Sequence, residues 1–164
     1  MAQYDYDVTF IGSGHAAWHA AMTLRQGDKK VAIIEKDTIA GTCTNFGCNP
    51  KILLEGPFEV LEELGHFKGI LDQDVNVHWP SLMEYKKKVI NPMSDGLKQM
   101  FEQAGIDIHM GHGILQDAHT VEVEGQTFTS DKFVIATGQH SNALDIKGSE
   151  YTHTSRDFMD MEEM

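Results

Sequence analysis

A glycine turn between a strand and a helix constrains this chain more than any other feature. Asp7-Val8-Thr9-Phe10-Ile11 is a short apolar run ended by Gly12, and it reads as a buried strand. Gly14 to Arg25 has helical spacing and composition, with Ala16, Ala17, Ala20, Ala21 and Leu24 available for packing. Gly27-Asp28 ends that helix, and Val31-Ala32-Ile33-Ile34-Glu35 is a second buried strand. Two buried strands joined by a helix form a βαβ unit with parallel strands and a right-handed crossover. The turn itself, Gly12-Ser13-Gly14-His15-Ala16-Ala17, fits G-x-G-x-x-G/A. Gly12 permits the tight turn, Gly14 lets a pyrophosphate approach the backbone, and Ala17 lets the helix close on the strand. The helix N-terminus adds unpaired N–H groups and a partial positive charge. Glu35, closing the second strand, is placed to accept ribose hydroxyls and to repel a 2′-phosphate. The bland alternative is a small-residue packing contact beside a solvated Glu. The strand–turn–helix context favours a dinucleotide, without separating NAD from FAD.

The rest of the chain fits one domain of 164 residues. Lys36 to Gly47 is expected to be a loop. Pro50 suits the first turn of a helix whose apolar face is Ile52, Leu53, Phe58, Val60, Leu61 and Leu64. Lys68 to His78 looks irregular. Pro80 to Ala104 is helical in pattern, with an interruption expected at Asn91-Pro92. Ile106 to Met110 is a candidate third strand. Thr120–Glu124 and Thr127–Thr129 alternate around Gly125-Gln126 as a hairpin with one wet face. Lys132-Phe-Val-Ile-Ala136 returns to a buried-strand pattern and ends at Thr137-Gly138. Residues 139–164 show no strong periodicity. Thirteen basic against 25 acidic residues give a net charge of −12, which repels a nucleic-acid backbone. No apolar stretch approaches a membrane span. The acidic start, Met1 to Asp7, is unlike a signal peptide, so the expected address is the cytoplasm.

Two cysteines, Cys43 and Cys48, lie in Gly41-Thr42-Cys43-Thr44-Asn45-Phe46-Gly47-Cys48-Asn49-Pro50-Lys51. Three readings stand: a structural disulfide, a metal site and a redox dithiol. A staple closing so short a ring gives only about 2 kcal/mol. Zinc wants four ligands, and there is no third Cys. A close pair in a cytosolic chain favours redox chemistry. Cys48, at the start of a helix and three residues before Lys51, suits a buried, stabilised thiolate. Cys43, in the preceding loop, is freer to attack an external disulfide.

Taken together, Gly12-x-Gly14-x-x-Ala17, Glu35 and Gly-Thr-Cys-x-Asn-x-Gly-Cys-x-Pro-Lys resemble the class I pyridine nucleotide–disulfide oxidoreductases, a family with glutathione reductase, dihydrolipoamide dehydrogenase and mercuric reductase among its members. Phe133-Val-Ile-Ala-Thr-Gly138 is similar to the family's second flavin-domain signature, and Thr154-Ser155 to a landmark where the chain leaves for the next domain. The resemblance implies an α/β, Rossmann-like FAD/NAD(P)-binding fold: a parallel sheet with helices on one side and a small antiparallel β-meander on the other. It implies FAD, with NAD(P)H as electron donor and a small-molecule disulfide or related acceptor. Gly12, Gly14 and Glu35 would hold pyrophosphate and adenosine ribose. Thr42 would sit beside the pyrophosphate or flavin, Gly113 against the adenine, and Thr137 and Gly138 close to the dinucleotide. Cys48 would face the flavin, Cys43 would be the interchange thiol, and Lys51 would lie near flavin N5.

Several positions depart from the family pattern. Ala40 precedes Gly41 where Gly-Gly is usual, and Asn49 replaces an apolar residue after the second Cys. Pro50-Lys51 looks more like the glutathione reductase pattern than like Pro-Ser-Lys. Leu97 stands in the region where glutathione reductases place a tyrosine, which argues against glutathione as substrate. There is no second glycine fingerprint, no C-terminal His-x-x-x-x-Glu and no dimer-interface domain. Residues 1–164 are therefore expected to be an N-terminal part of the FAD-binding domain of a homodimeric parent, with little turnover alone. His109, His112 and His140 read as surface or strand-end residues. A colourless dinucleotide-binding module with a structural disulfide is the alternative, and a poorly folded remnant that binds nothing is a third.

Overall fold

A strand–helix–strand unit sets the frame of the computed structural model, which describes residues 4–71 and 74–163. Residues 1–3 of the acidic start, 72 and 73 inside the stretch expected to be irregular, and 164 lie outside it. Strand β1 (Tyr6–Ile11) leads into helix α1 (His15–Gln26) and back to β2 (Val31–Glu35). The two strands pair in parallel, Val8 opposite Val31 and Ile11 opposite Ile34. Then follow α2 (Gly41–Phe46), α3 (Cys48–Gly65), α4 (Trp79–Gln103), β3 (Asp107–Met110), β4 (Gly113–Leu115), β5 (Thr120–Val123), β6 (Gln126–Ile135), a 3₁₀ turn (Ser149–Tyr151) and α5 (Ser155–Asp160). The strands form one sheet in the order β3-β2-β1-β6-β5-β4. The first three and the end of β6 are parallel, and β4-β5-β6 is an antiparallel meander.

Alternation along the strands sends side chains to two faces. On one, Phe10, Val31 and Ile33 pack against Ala17, Ala21, Ile39, Phe101 and Ile106 beneath the helices. On the other, Ile34 packs against Val121 and Val123 of β5, with Phe128 and Phe133 alongside. The meander thus curls back over the face the helices leave open. This is the expected Rossmann-like architecture, with helices on one side and the meander on the other.

Several local expectations change. The face expected to be apolar on α3 is exposed at Ile52, Phe58 and Val60 while Leu54 is buried, and the run 132–136, expected to be buried, leaves Ile135 exposed. The stretch 36–47 contains the six-residue α2, because Asn45 turns its amide onto the carbonyls of Ile39 and Gly41, both at 2.9 Å. Helix α4 runs unbroken through Pro92. Pro92 is exposed, so its ring faces solvent, while the buried Leu82, Met83, Lys86, Ile90 and Phe101 hold the two halves in line. Tertiary packing there outweighs one missing backbone donor. The runs 127–129 and 132–136 merge into one strand, because β6 pairs with β5 at its start and with β1 beyond Ser130. Finally, the aperiodic tail contains α5, begun by a capping box in which Thr154 and Asp157 bond each other's backbone N–H. Among the described residues, no helix is long and apolar enough to cross a membrane.

Candidate redox and dinucleotide site

The ends of β1, β2 and β6 converge at the glycine turn. Gly12 has φ +107°, and its amide donates to Ile34 O at 2.7 Å. A side chain at this position would run into the carbonyl of Ala136, with Thr137 Cα 3.3 Å away. Gly14 begins α1 in an extended conformation with no side-chain cap and no acid in the first turn. The His15 and Ala16 amides precede the first bonds of the helix, which Ala17 and Trp18 donate to Gly14 O at 2.8 and 3.1 Å. A Cβ built on Gly14 meets nothing within 4 Å, so the approach to those amides is open. Ala17 is fully buried in the core. This cradle suits a pyrophosphate: open glycine backbone, unpaired N–H groups and the positive end of a helix. Thr137 and Gly138 leave β6 exposed at the same edge. Gly113 begins β4 and packs over β2, where a Cβ would sit 3.2 Å from Ile34 Cγ2.

Glu35 is more deeply engaged than its sequence position suggests. Its Oε2 accepts from the Ser13 amide at 3.0 Å and the Ser13 hydroxyl at 2.5 Å, and its Oε1 accepts from the Asp37 amide at 2.9 Å. The Ser13 hydroxyl in turn accepts from the Ala40 amide at 2.9 Å. Ser13 is fully buried. It ties the glycine turn, the acid at the end of β2 and the turn before α2 into one network. Sequence reasoning passed over it. The signal was a hydroxyl between two glycines that both need to be close to backbone.

Ala40 holds φ +72°, a left-handed conformation that glycine adopts more easily. It delivers Gly41 against the cradle: a Cβ on Gly41 would lie 2.9 Å from Gly14 Cα. Cys43 on α2 and Cys48, the first residue of α3, form a disulfide with Cα atoms 4.7 Å apart. Gly47 between them allows the closure, since a Cβ there would press on Thr42 O at 3.1 Å and Cys43 Cα at 3.2 Å. The burial of the two cysteines is the reverse of that expected. Cys48 is exposed and Cys43 half-buried, because α3 starts at the surface while α2 packs inward through Thr44 and Asn45. Thr42 is exposed beside them.

Lys51 lies one turn along α3, and its ammonium pairs with Glu55 at 2.8 Å. The hydrogen bond and charge of Glu55 raise its pKa. Asn49 donates to Met93 Sδ at 3.6 Å. Leu97 packs against the main core. His112 and His140 are exposed. His109 is half-buried under the meander, its ring 3.9 Å from Phe128 and its Nε2 2.8 Å from the Tyr6 hydroxyl. Burial depresses its pKa, and Asp107 opposes that only in part.

The family model described as "Pyridine nucleotide-disulphide oxidoreductase" matches residues 6–164. The chain is similar to trypanothione reductase of Leishmania donovani, with 32% identity over 185 residues, covering 96% of this chain and 37% of that protein. It is similar to mercuric reductase of Staphylococcus aureus, with 34% identity over 147 residues, covering 88% and 27%. Glutathione reductase of a Nostoc species is 33% identical over 156 residues, covering 94% and 34%. The chain therefore spans well under half the length of these relatives.

Proposed function

Because this chain belongs to the pyridine nucleotide-disulphide oxidoreductase family, we propose that it carries the flavin side of a dithiol redox centre. Electrons would pass from NAD(P)H through FAD and the Cys43–Cys48 pair to a small-molecule disulfide or related acceptor. One observation supports this most: the disulfide-bearing α2 begins with Gly41 packed on Gly14, so the sulfur pair and the anion cradle share one wall.

Gly12, Gly14 and the first turn of α1 would receive the pyrophosphate. Ala17 lets the helix sit close enough to do so. Glu35, steadied by Ser13, would accept from the adenosine ribose. Gly113 would lie against the adenine, and Thr42, Thr137 and Gly138 along the dinucleotide. FAD, when bound, supplies two-electron transfer between a nicotinamide hydride and the disulfide.

Reduction breaks the Cys43–Cys48 bond and adds two electrons and two protons. The N-terminal amides of α3 favour a thiolate at Cys48. Cys43 attacks an external disulfide, releasing one product thiol and forming a mixed disulfide. Cys48 then attacks the Cys43 sulfur, releases the second thiol and restores the bond. Lys51 would add positive charge one turn from Cys48, moderated by Glu55. A homodimeric assembly and a cytoplasmic address belong to the same proposal.

The test is reconstitution. The purified chain is mixed with FAD, passed through a desalting column and reduced with two electrons. Retained yellow colour and a long-wavelength absorbance band that Cys48→Ser abolishes are expected. Colourless protein that keeps only adenine nucleotide would refute the proposal and favour a module with a structural disulfide.

A further inference from the structure

Lys86 is 3% exposed and takes no part in the site described so far. A buried ammonium must be paired and hydrogen-bonded to persist. Its Nζ donates to Met159 O at 2.6 Å and to Asp160 Oδ1 at 3.1 Å, both in α5. Around it, Trp79 Nε1 donates to Met161 O at 2.7 Å, and Lys87 pairs with Glu162. Met159 packs on Leu54, Trp79, Leu82 and Met83. The C-terminal segment is thus anchored to α4 by a buried charge and an apolar seat.

From this anchored segment Arg156 reaches back to the redox loop. Its guanidinium carbon lies 3.8 Å over the Phe46 ring, and its Nη1 is 3.1 Å from Asp37 Oδ2. Phe46 ends α2 and lies inside the ring closed by Cys43 and Cys48. Asp37 lies in the turn whose amide holds Glu35.

We propose that the segment 155–162 is a clasp on the redox loop, with Arg156 as the positioning residue that keeps the Cys43–Cys48 disulfide favoured over the dithiol. The inference rests on reading the two cysteines as a redox pair. Opening the disulfide frees the ring to flex at Gly47. A contact that fixes Phe46 keeps the two cysteines near their bonded spacing, which raises the effective concentration of one thiol at the other. Asp37 offsets the charge of Arg156, so the guanidinium exerts little net pull on a thiolate. The effect is geometric, and it favours closure.

The chain is equilibrated without flavin in glutathione buffers, and its thiols are trapped by alkylation and counted by mass. The exchange is balanced: the protein disulfide plus two glutathione thiols gives Cys43 and Cys48 thiols plus glutathione disulfide. Arg156→Ala is expected to shift this equilibrium roughly tenfold toward the dithiol, about 30 mV for a two-electron couple. That is the size expected for losing one stacked cation and one exposed ion pair. Lys86→Met removes the anchor and should move the equilibrium the same way. The double variant should move it no further than the larger single change, because both act through one clasp. Arg25→Gln, which loses bonds to Ala104 and Lys29 far from the loop, should lower the melting temperature without moving the equilibrium. A folded Arg156→Ala chain within threefold of the parent, or shifted toward the disulfide, overturns the clasp. Arg156 is half-exposed, so that variant should fold even if Lys86→Met does not. Failure to bind FAD would leave this measurement untouched, so the two readings fail separately.

Discussion

Replacing Ser13 by Ala removes one oxygen and should cost far more than a surface change. The hydroxyl donates to the Glu35 carboxylate at 2.5 Å and accepts from the Ala40 amide at 2.9 Å, at a fully buried position. A hydrogen bond to an ionised group contributes about 1.5–3 kcal/mol, and a buried amide left without an acceptor costs about 1–3 kcal/mol. Some relaxation of the turn is expected, so the net loss should be roughly 2–4 kcal/mol out of the 5–15 kcal/mol typical of a domain. The assay is urea unfolding of the purified chain, with the midpoint falling at unchanged slope. Ser13→Ala combined with Glu35→Gln should be less than additive, since the two side chains share one bond. A loss below about 0.5 kcal/mol, the range of ordinary surface substitutions, would show that the network does not hold the turn.

Three further outcomes follow from single positions. Gly12→Ala places a side chain at φ +107° against the Ala136 carbonyl; a loss of roughly 2–4 kcal/mol is expected in chemical denaturation, and unchanged stability would contradict the packing. His109 has its pKa depressed below 6.5 by burial, so the unfolded chain binds more protons than the folded one and stability rises with pH in that window. Its contribution should be lost as pH falls below about 6.5, level off below the folded pKa, and vanish in His109→Phe; a parent and variant with identical pH profiles would refute this. Pro92→Ala restores a backbone donor in the exposed middle of α4 and should stabilise the chain by roughly 1 kcal/mol or more, raising the melting temperature; a lower melting temperature would mean that the proline shapes the helix.

Periodicity along the chain carried the βαβ unit, the span of the long helix and the β5–β6 hairpin, because each of those patterns is local; β4, only three residues long, left no such pattern. It marked Gly12, Gly14, Ala17, Glu35, Cys43 and Cys48 because their spacing is itself the signal. It passed over Ser13 and Arg156 because their partners lie far along the chain: Ala40 for the first, Phe46 and Asp37 for the second. The loop expected at 36–47 held a helical turn because Asn45 satisfied backbone carbonyls that a composition rule does not see.

Taken alone, the sequence determined that β2 is buried, where the anion cradle opens and which two sulfurs lie close together. Those properties depend on residues within a few positions of one another. The tertiary structure decided that α4 continues through Pro92 and that one strand serves both sheet and meander. It also decided that Cys48 lies outside Cys43, and that a buried lysine on α4 anchors the segment reaching the redox loop. Each of these is set by what packs across the fold, where burial and pairing outweigh the local preference of the chain.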